Sequence, residues 1–190
     1  MSSDVFDLPE RPPALGAVVE QDRGTLPFEL IHGEALVACA SWALGDSGVT
    51  PVDQGTEWSG LVDSGEPFVL HDALCPMTPA SFLAACVATA VERATVVVGV
   101  RPGVDTGSPT AEDSASADRA DRVSVASPVV LPADVVAAMD GLPSLDFTDL
   151  VTALRARFPV TFVEAPPSAA RVGSVDDVRA LEQLTLPSQP

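Results

Sequence analysis

Two short acidic turns are the first places in this sequence to which chemistry can be attached. His71-Asp72 closes the apolar run Pro67-Phe68-Val69-Leu70, and Asp105-Thr106 follows the β-branched run from Thr95 to Val100. An Asp just past a buried strand either contacts a ligand or a metal ion, or accepts hydrogen bonds from nearby backbone N–H groups as an ordinary turn residue. Arg171 stands a few residues before an expected helix N-terminus, a position that suits a phosphate group. A surface ion pair with the surrounding acids is the alternative for it. His71 reads as a structural, hydrogen-bonded ring. Three cysteines (Cys39, Cys75, Cys86) with no CxxC spacing read as reduced, mostly buried thiols.

The turns must be positioned by a strand–helix–strand unit. Pro79 to Arg93 carries Phe82, Leu83, Cys86, Val87 and Ala90 at helical spacing, with Thr78 as a cap and Pro79 near the first turn. Thr95 to Val100 has the continuous apolar character of a strand buried on both faces. The unit predicts two parallel neighbouring strands joined right-handedly, with ligands bound beyond their carboxyl ends. Around it, Leu15–Val19 is expected as a first strand, Glu34–Leu44 as a helix with an Ala-rich face, and Val49–Val52 as a short strand. Residues 54–65 read as loop. Further on, Arg122–Ala126 is expected as a strand stopped by Ser127-Pro128, followed by helices over Leu131–Met139 and Leu145–Phe158. A strand over Val160–Val163 and a helix over Val175–Leu184, capped by Ser174, complete the chain. The order predicts an α/β fold: a three-layer sandwich around a mainly parallel sheet. Residues 1–13 are expected as a disordered, Pro-rich lead, 14–186 as one domain, and 107–120 as a mobile loop. Trp42 and Trp58 are expected in packing.

Composition narrows the function. The formal net charge is −17, and the ten basic residues are all arginine. With no lysine and no basic cluster, a nucleic-acid surface is not expected. No apolar run approaches the roughly 18 residues that cross a bilayer, and the N-terminus is acidic instead of basic-then-apolar. A cytoplasmic protein without membrane contact is the expectation.

Several segments resemble one family. PFVLHDALCP is similar to the "vvvHDAaRP" segment of the 2-C-methyl-D-erythritol 4-phosphate cytidylyltransferases. Val100 to Thr106 (VRPGVDT) resembles the family's "vPvtDTvK". Asp121-Arg122 with Ala126 to Leu131 resembles "dR…lwavqTPQvF", and Phe162 to Val178 resembles "lVeGdprNiKiTtpeDl". The segments occur in the family's order. The resemblance implies a Rossmann-like nucleotidyltransferase fold that transfers CMP from CTP to a sugar-alcohol phosphate in isoprenoid precursor synthesis. Pyrophosphate is released, and Mg²⁺ is the implied cofactor. It also implies catalytic phosphate contacts from Arg23 and Arg171, substrate contacts from Asp72, Asp105 and Thr106, and a metal on Asp72.

The departures fall on the phosphate-binding machinery. Where the family carries "AaGxGxRxxxxxPKqf", this chain has a shorter loop, Glu20-Gln21-Asp22-Arg23-Gly24-Thr25-Leu26-Pro27-Phe28, with one glycine and no lysine. Glu20 and Asp22 would repel a polyanion. Cys75 replaces the arginine of HDAaRP, Gly107-Ser108 follows Asp105-Thr106 without the family lysine, and Ser168 replaces a metal-type Asp. The family's projecting dimer arm falls on the short polar stretch Gly107–Ala120. The expectation is a cytidylyltransferase of reduced activity. The alternative is a non-catalytic relative that binds a small molecule or a partner.

Overall fold

The structure is a computed structural model that describes residues 12–53, 55–102 and 123–186. Residues 1–11, the stretch 107–120, Asp105 and Thr106 therefore lie outside the described residues.

Six strands form one sheet in the order β4-β1-β5-β7-β6-β8. They are β1 (Leu15–Val19), β4 (Thr50–Pro51), β5 (Phe68–Asp72), β6 (Val96–Pro102), β7 (Val123–Leu131) and β8 (Val160–Glu164). A separate two-stranded hairpin, β2 (Leu30–Ile31) and β3 (Glu34–Ala35), precedes the first helix. The helices are α1 (Leu36–Asp46), α2 (Trp58–Ser64), α3 (Ala80–Arg93), α4 (Ala133–Ala137), α5 (Phe147–Arg155) and α6 (Val175–Leu184). The fold is the expected three-layer α/β sandwich, and β1 and α6 match their expected limits residue for residue.

Strand periodicity divides the core. Leu70, Val98 and Leu131 pack with Leu150, Val151 and Leu154 of α5 on one face, whereas Val69, Val97 and Val130 pack with Cys86, Val87 and Ala90 of α3 on the other. A third cluster joins Ile31 and Leu36 to Leu74, Val172, Val178 and Leu181. It clamps α6 against the turn that follows β5.

Three expectations are corrected. β5 and β6 run parallel but are not neighbours, because β7 lies between them and pairs antiparallel with both. A helical crossover fixes the sense of two strands but leaves a gap between them open to a strand from elsewhere in the chain. β7 also runs through Ser127-Pro128, where a break was expected. Its pairing with β6 shifts register between Val98 and Val100, so the proline sits at an irregularity where no ladder N–H is required. Residues 58–64 form α2, where loop was expected. It is under two turns long, buries only Leu61, and ends on Gly65 in the left-handed region (φ 66°). Two smaller differences concern single side chains. Trp42 is exposed. The Thr78 hydroxyl donates to Cys75 O (2.8 Å) and does not cap α3. No helix among the described residues is long and apolar enough to cross a membrane.

Gly99 sits where β6 meets the β7 irregularity. A Cβ there would run into the Ser127 carbonyl, which is backbone and cannot swing away. Gly99→Ala is expected to cost roughly 1–3 kcal/mol as an overpacked site. That corresponds to a melting temperature lower by about 2–4 °C per kcal/mol for a chain of this size. Thermal unfolding followed by circular dichroism measures it; an unchanged midpoint would show that the β6–β7 approach is looser than described.

Candidate functional site

Parallel pairing brings β1 and β5 to the same rim. Val19 and Asp72, the last residues of each strand, are register partners, and the Ala73 N–H donates to Val19 O (3.0 Å). Beyond Val19 the chain turns through Asp22 and Gly24, both in the left-handed region (φ 59° and 61°). Asp tolerates that conformation better than most residues, and Gly adopts it freely. Between them stands Arg23, whose side chain is folded back into the protein. Its Nε donates to Asp72 Oδ1 (3.2 Å), one terminal nitrogen to Leu145 O (2.9 Å) and the other to Gln21 O (3.1 Å). Its guanidinium also lies over the Phe147 ring, 5.9 Å from the centroid.

The other side of the carboxylate is taken by Arg171, whose Nε donates to Asp72 Oδ2 (3.0 Å). Asp72 Oδ1 accepts a further bond from the Leu74 N–H (3.0 Å). The Asp72 side chain is 1% exposed, Arg23 4%, and Arg171 38%. Arg171 is held from behind: the neighbouring Val172 N–H donates to Leu74 O (2.8 Å), and both residues belong to the third core cluster. The structure thus unites Arg23, Asp72 and Arg171, which lie 49 and 99 residues from Asp72 along the chain. The pairing of the two arginines through one carboxylate was not anticipated, and no local pattern signals it.

This geometry does not fit a metal ion on Asp72. Oδ1 already accepts two bonds, Oδ2 accepts one, and two guanidinium groups flank the carboxylate. Any cation placed there would face both positive charges. Among the described residues there is no cluster of three or more His, Cys, Asp or Glu able to hold a metal. The N-terminus of α6, near Arg171, is also occupied. Ser174 Oγ accepts from the Asp177 N–H (3.2 Å), and Asp177 Oδ2 accepts from the Gly173 N–H (2.9 Å). The Gly173 N–H bond, followed by hydrogen bonding from the Ser174 side chain to the carboxylate, holds the Asp177 carboxyl below its usual range.

A cleft of ≈ 190 Å³ opens at the same end of β1, walled by Val19, Trp58 and Leu145 among others, with Gln21, Asp53 and Thr56 as its polar groups. No arginine lines it. A wider groove of ≈ 730 Å³ lies at the carboxyl ends of β6 and β8, where Arg101 and Glu164 meet Phe82 of α3. Arg101 donates to Ala165 O (2.8 Å).

His71 points to the opposite face from Asp72 and is fully buried. Its Nδ1 shares a short hydrogen bond with Ser127 Oγ, which also accepts from the Asp72 N–H (3.0 Å), while Nε2 has no partner among the described residues. Burial, only partly offset by the Asp72 charge, pushes its pKa down to about 4. Cys75 is fully buried and its thiol is raised well above the usual value, first by burial and then by Asp72. It is an inert core thiol.

No protein-family model matches the chain, and no curated protein sequence matches it. Solved structures do. 4-Diphosphocytidyl-2C-methyl-D-erythritol synthase from Anaerococcus prevotii aligns with a TM-score of 0.60 at 11% identity, over 92% of this chain and 96% of that one. 2-C-methyl-D-erythritol 4-phosphate cytidylyltransferase from Thermus thermophilus aligns at 0.57 and 21% identity, over 89% and 96%. A CMP:2-keto-3-deoxy-manno-octonic acid synthetase, solved with CTP, aligns at 0.55 and 11% identity, over 91% and 98%. The fold is therefore that of the cytidylyltransferases, the family the sequence segments resemble.

Removing Arg23 leaves Asp72 paired with Arg171 but strips Oδ1 of a charge-assisted hydrogen bond and the Leu145 and Gln21 carbonyls of their donor. Arg23→Leu is expected to destabilise by about 1.5–3 kcal/mol, readable as a lowered urea midpoint at unchanged slope; a variant within 0.5 kcal/mol of the parent, roughly the scatter of surface substitutions, would mean the pair is not formed. His71 generates a pH signature. Its folded pKa lies below the ordinary value of about 6.5, so the unfolded chain takes up a proton that the folded one refuses between those two values. Stability from this group is complete above pH 6.5 and is lost as pH falls toward 4. Unfolding free energies for the parent and His71→Gln across that window should diverge, with the parent losing up to one proton's worth more; parallel curves would show that His71 is protonated in the fold.

Proposed function

We propose that this protein is a divergent nucleotidyltransferase of the cytidylyltransferase kind. It takes CTP and a sugar-alcohol phosphate, methylerythritol phosphate first among candidates, at the carboxyl ends of β1 and β5. The observation that carries this reading is the Asp72–Arg171 pair: it stands at the strand end where α/β sheets bind ligands, in a fold shared with three cytidylyltransferases.

The chemistry asked of the protein is positioning and charge. A phosphate oxygen of the acceptor must be held in line with the α-phosphorus of CTP, and negative charge developing on the departing pyrophosphate must be offset. Arg171 is the available cation, since its side chain remains over one-third exposed while Asp72 fixes its Nε. Arg23 is engaged by Asp72, Leu145 and Gln21, so it orders the β1 loop and does not reach solvent. The resemblance implies Mg²⁺, but the described residues do not fit it at Asp72, and no step is assigned to it. Asp105 and Thr106 remain proposed substrate contacts. With a one-glycine loop and, among the described residues at Asp72, one partly exposed guanidinium, transfer is slow; a missing charge-stabilising group costs on the order of 10²–10³ in rate.

The burial of Arg23 favours a second reading, a non-catalytic relative that keeps ligand binding alone. One experiment separates them. Purified protein at high concentration is incubated with CTP, methylerythritol phosphate and Mg²⁺, and pyrophosphate is measured. Release above a no-protein control, lost in Arg171→Gln, supports the enzyme. No release, with CTP still raising the melting temperature by mass action, establishes the binding role.

A further inference from the structure

We infer that the open edge of β8 pairs with the same edge of a second copy of this chain, antiparallel and centred on Phe162, so that one sheet runs through a two-fold dimer. The inference stands apart from CMP transfer and rests on the backbone and charges of one sheet edge.

The six-stranded sheet ends on β4 and on β8. β4 is two residues long and one of them is Pro51, features that blunt an edge. β8 has five residues, with no proline, an unbroken register against β6 and one charged side chain, Glu164. On its inner side Pro159 O accepts from the Val96 N–H (3.1 Å), and the Ala165 N–H donates to Val100 O (2.8 Å). Backbone groups alternate sides along a strand. Odd-numbered residues therefore face β6, whereas Val160, Phe162 and Glu164 direct their N–H and C=O groups outward. Those groups have no partner among the described residues. α5 packs over β7, and α3 over β6 and β7, both inward of the edge. Phe162 remains 37% exposed.

The charges select a second copy and set its register. The Arg155 guanidinium lies over the Phe162 ring, 5.5 Å from the centroid, and that of Arg157 over Phe158, 5.1 Å from the centroid. Phe158 and Phe162 flank Val160 on the α5 face, where both Phe158 and Val160 pack against the core. A two-fold axis through Phe162 sets Val160 opposite Glu164 of the other copy, on the same face. Each Glu164 then enters between the two guanidinium groups of its neighbour, and this happens twice per dimer. The pairs Phe162–Phe162, Val160–Glu164 and Glu164–Val160 exchange about six backbone hydrogen bonds. The net charge of −17 opposes association of like copies. It is screened beyond about 8 Å at physiological ionic strength, whereas the carboxylate–arginine pairs act at contact. The dimer exposes only the two blunted β4 edges, so pairing closes at two copies.

The test is sedimentation equilibrium of the full chain over a range of concentrations at physiological ionic strength. A monomer–dimer equilibrium is expected, with a limiting mass of twice 19.6 kDa. Glu164→Arg puts like charge between Arg155 and Arg157 and should weaken dimerisation roughly tenfold. Combining it with Arg155→Glu and Arg157→Glu restores the charge match and should recover most of that loss. Phe162→Pro removes an outward donor that the β6 ladder does not use, and it should leave a monomer. Circular dichroism checks the fold of each variant, and the exposed Glu164→Arg decides the matter if Phe162→Pro does not fold. A monomer at every concentration, the result if another part of this chain covers the edge, would overturn the inference. So would a dimer whose constant is unchanged by Glu164→Arg, or a charge swap that recovers nothing. A failed CMP-transfer assay leaves it untouched, because the mass is read independently of turnover.

Discussion

The rim of this protein depends on one carboxylate shared by two arginines. Asp72 gathers Arg23 from the loop after β1 and Arg171 from the segment before α6, and through them it ties together parts of the chain that share no secondary structure. An ion pair this deep has little stabilising margin, because the loss of hydration offsets most of the attraction. What tips the balance is the completeness of the bonding. Leu74 N–H donates to the same carboxylate, while the Leu145 and Gln21 carbonyls each accept from one terminal nitrogen of Arg23. The cluster is thus an ordering device first, and any ligand chemistry is built on what it leaves accessible.

That arrangement fits the departure of the Glu20–Phe28 loop from the pattern of the resembled family. A loop that wraps a triphosphate needs glycines, so that backbone N–H groups can approach, and a basic residue directed outward. Here two left-handed residues turn Arg23 inward, and Glu20 and Asp22 remain beside it. The arginine stands where the resembled family has one, and its partner here is Asp72. Arg171 keeps a charge where the resembled family has lysine, and it retains an accessible face.

The opposite side of β5 is apolar and silent. His71 and Cys75 flank Asp72 in sequence, yet both are fully buried and held neutral by their surroundings. Alternation along a strand explains how a charged centre and an uncharged ring occupy adjacent positions: successive side chains enter different layers.

The amino-acid sequence by itself determined the elements whose signal is local. β1, α6 and the body of α3 follow from apolar runs, helical spacing and the Ser174 cap, and the three-layer class follows from their order. It also marked Asp72, Arg23 and Arg171 as residues worth following, through the family resemblance. Only the tertiary structure decided that β7 inserts between β5 and β6, because strand order depends on long-range pairing that periodicity does not encode. α2 escaped notice because a seven-residue helix burying one leucine has almost no pattern to show. The fate of Asp72 belongs to the same class. An Asp at a strand end is equally suited to a metal, a sugar or a turn, and what it became was set by two arginines that reach it from 49 and 99 residues away. Local sequence specifies what a side chain is able to bond; the packed chain alone specifies which partner arrives.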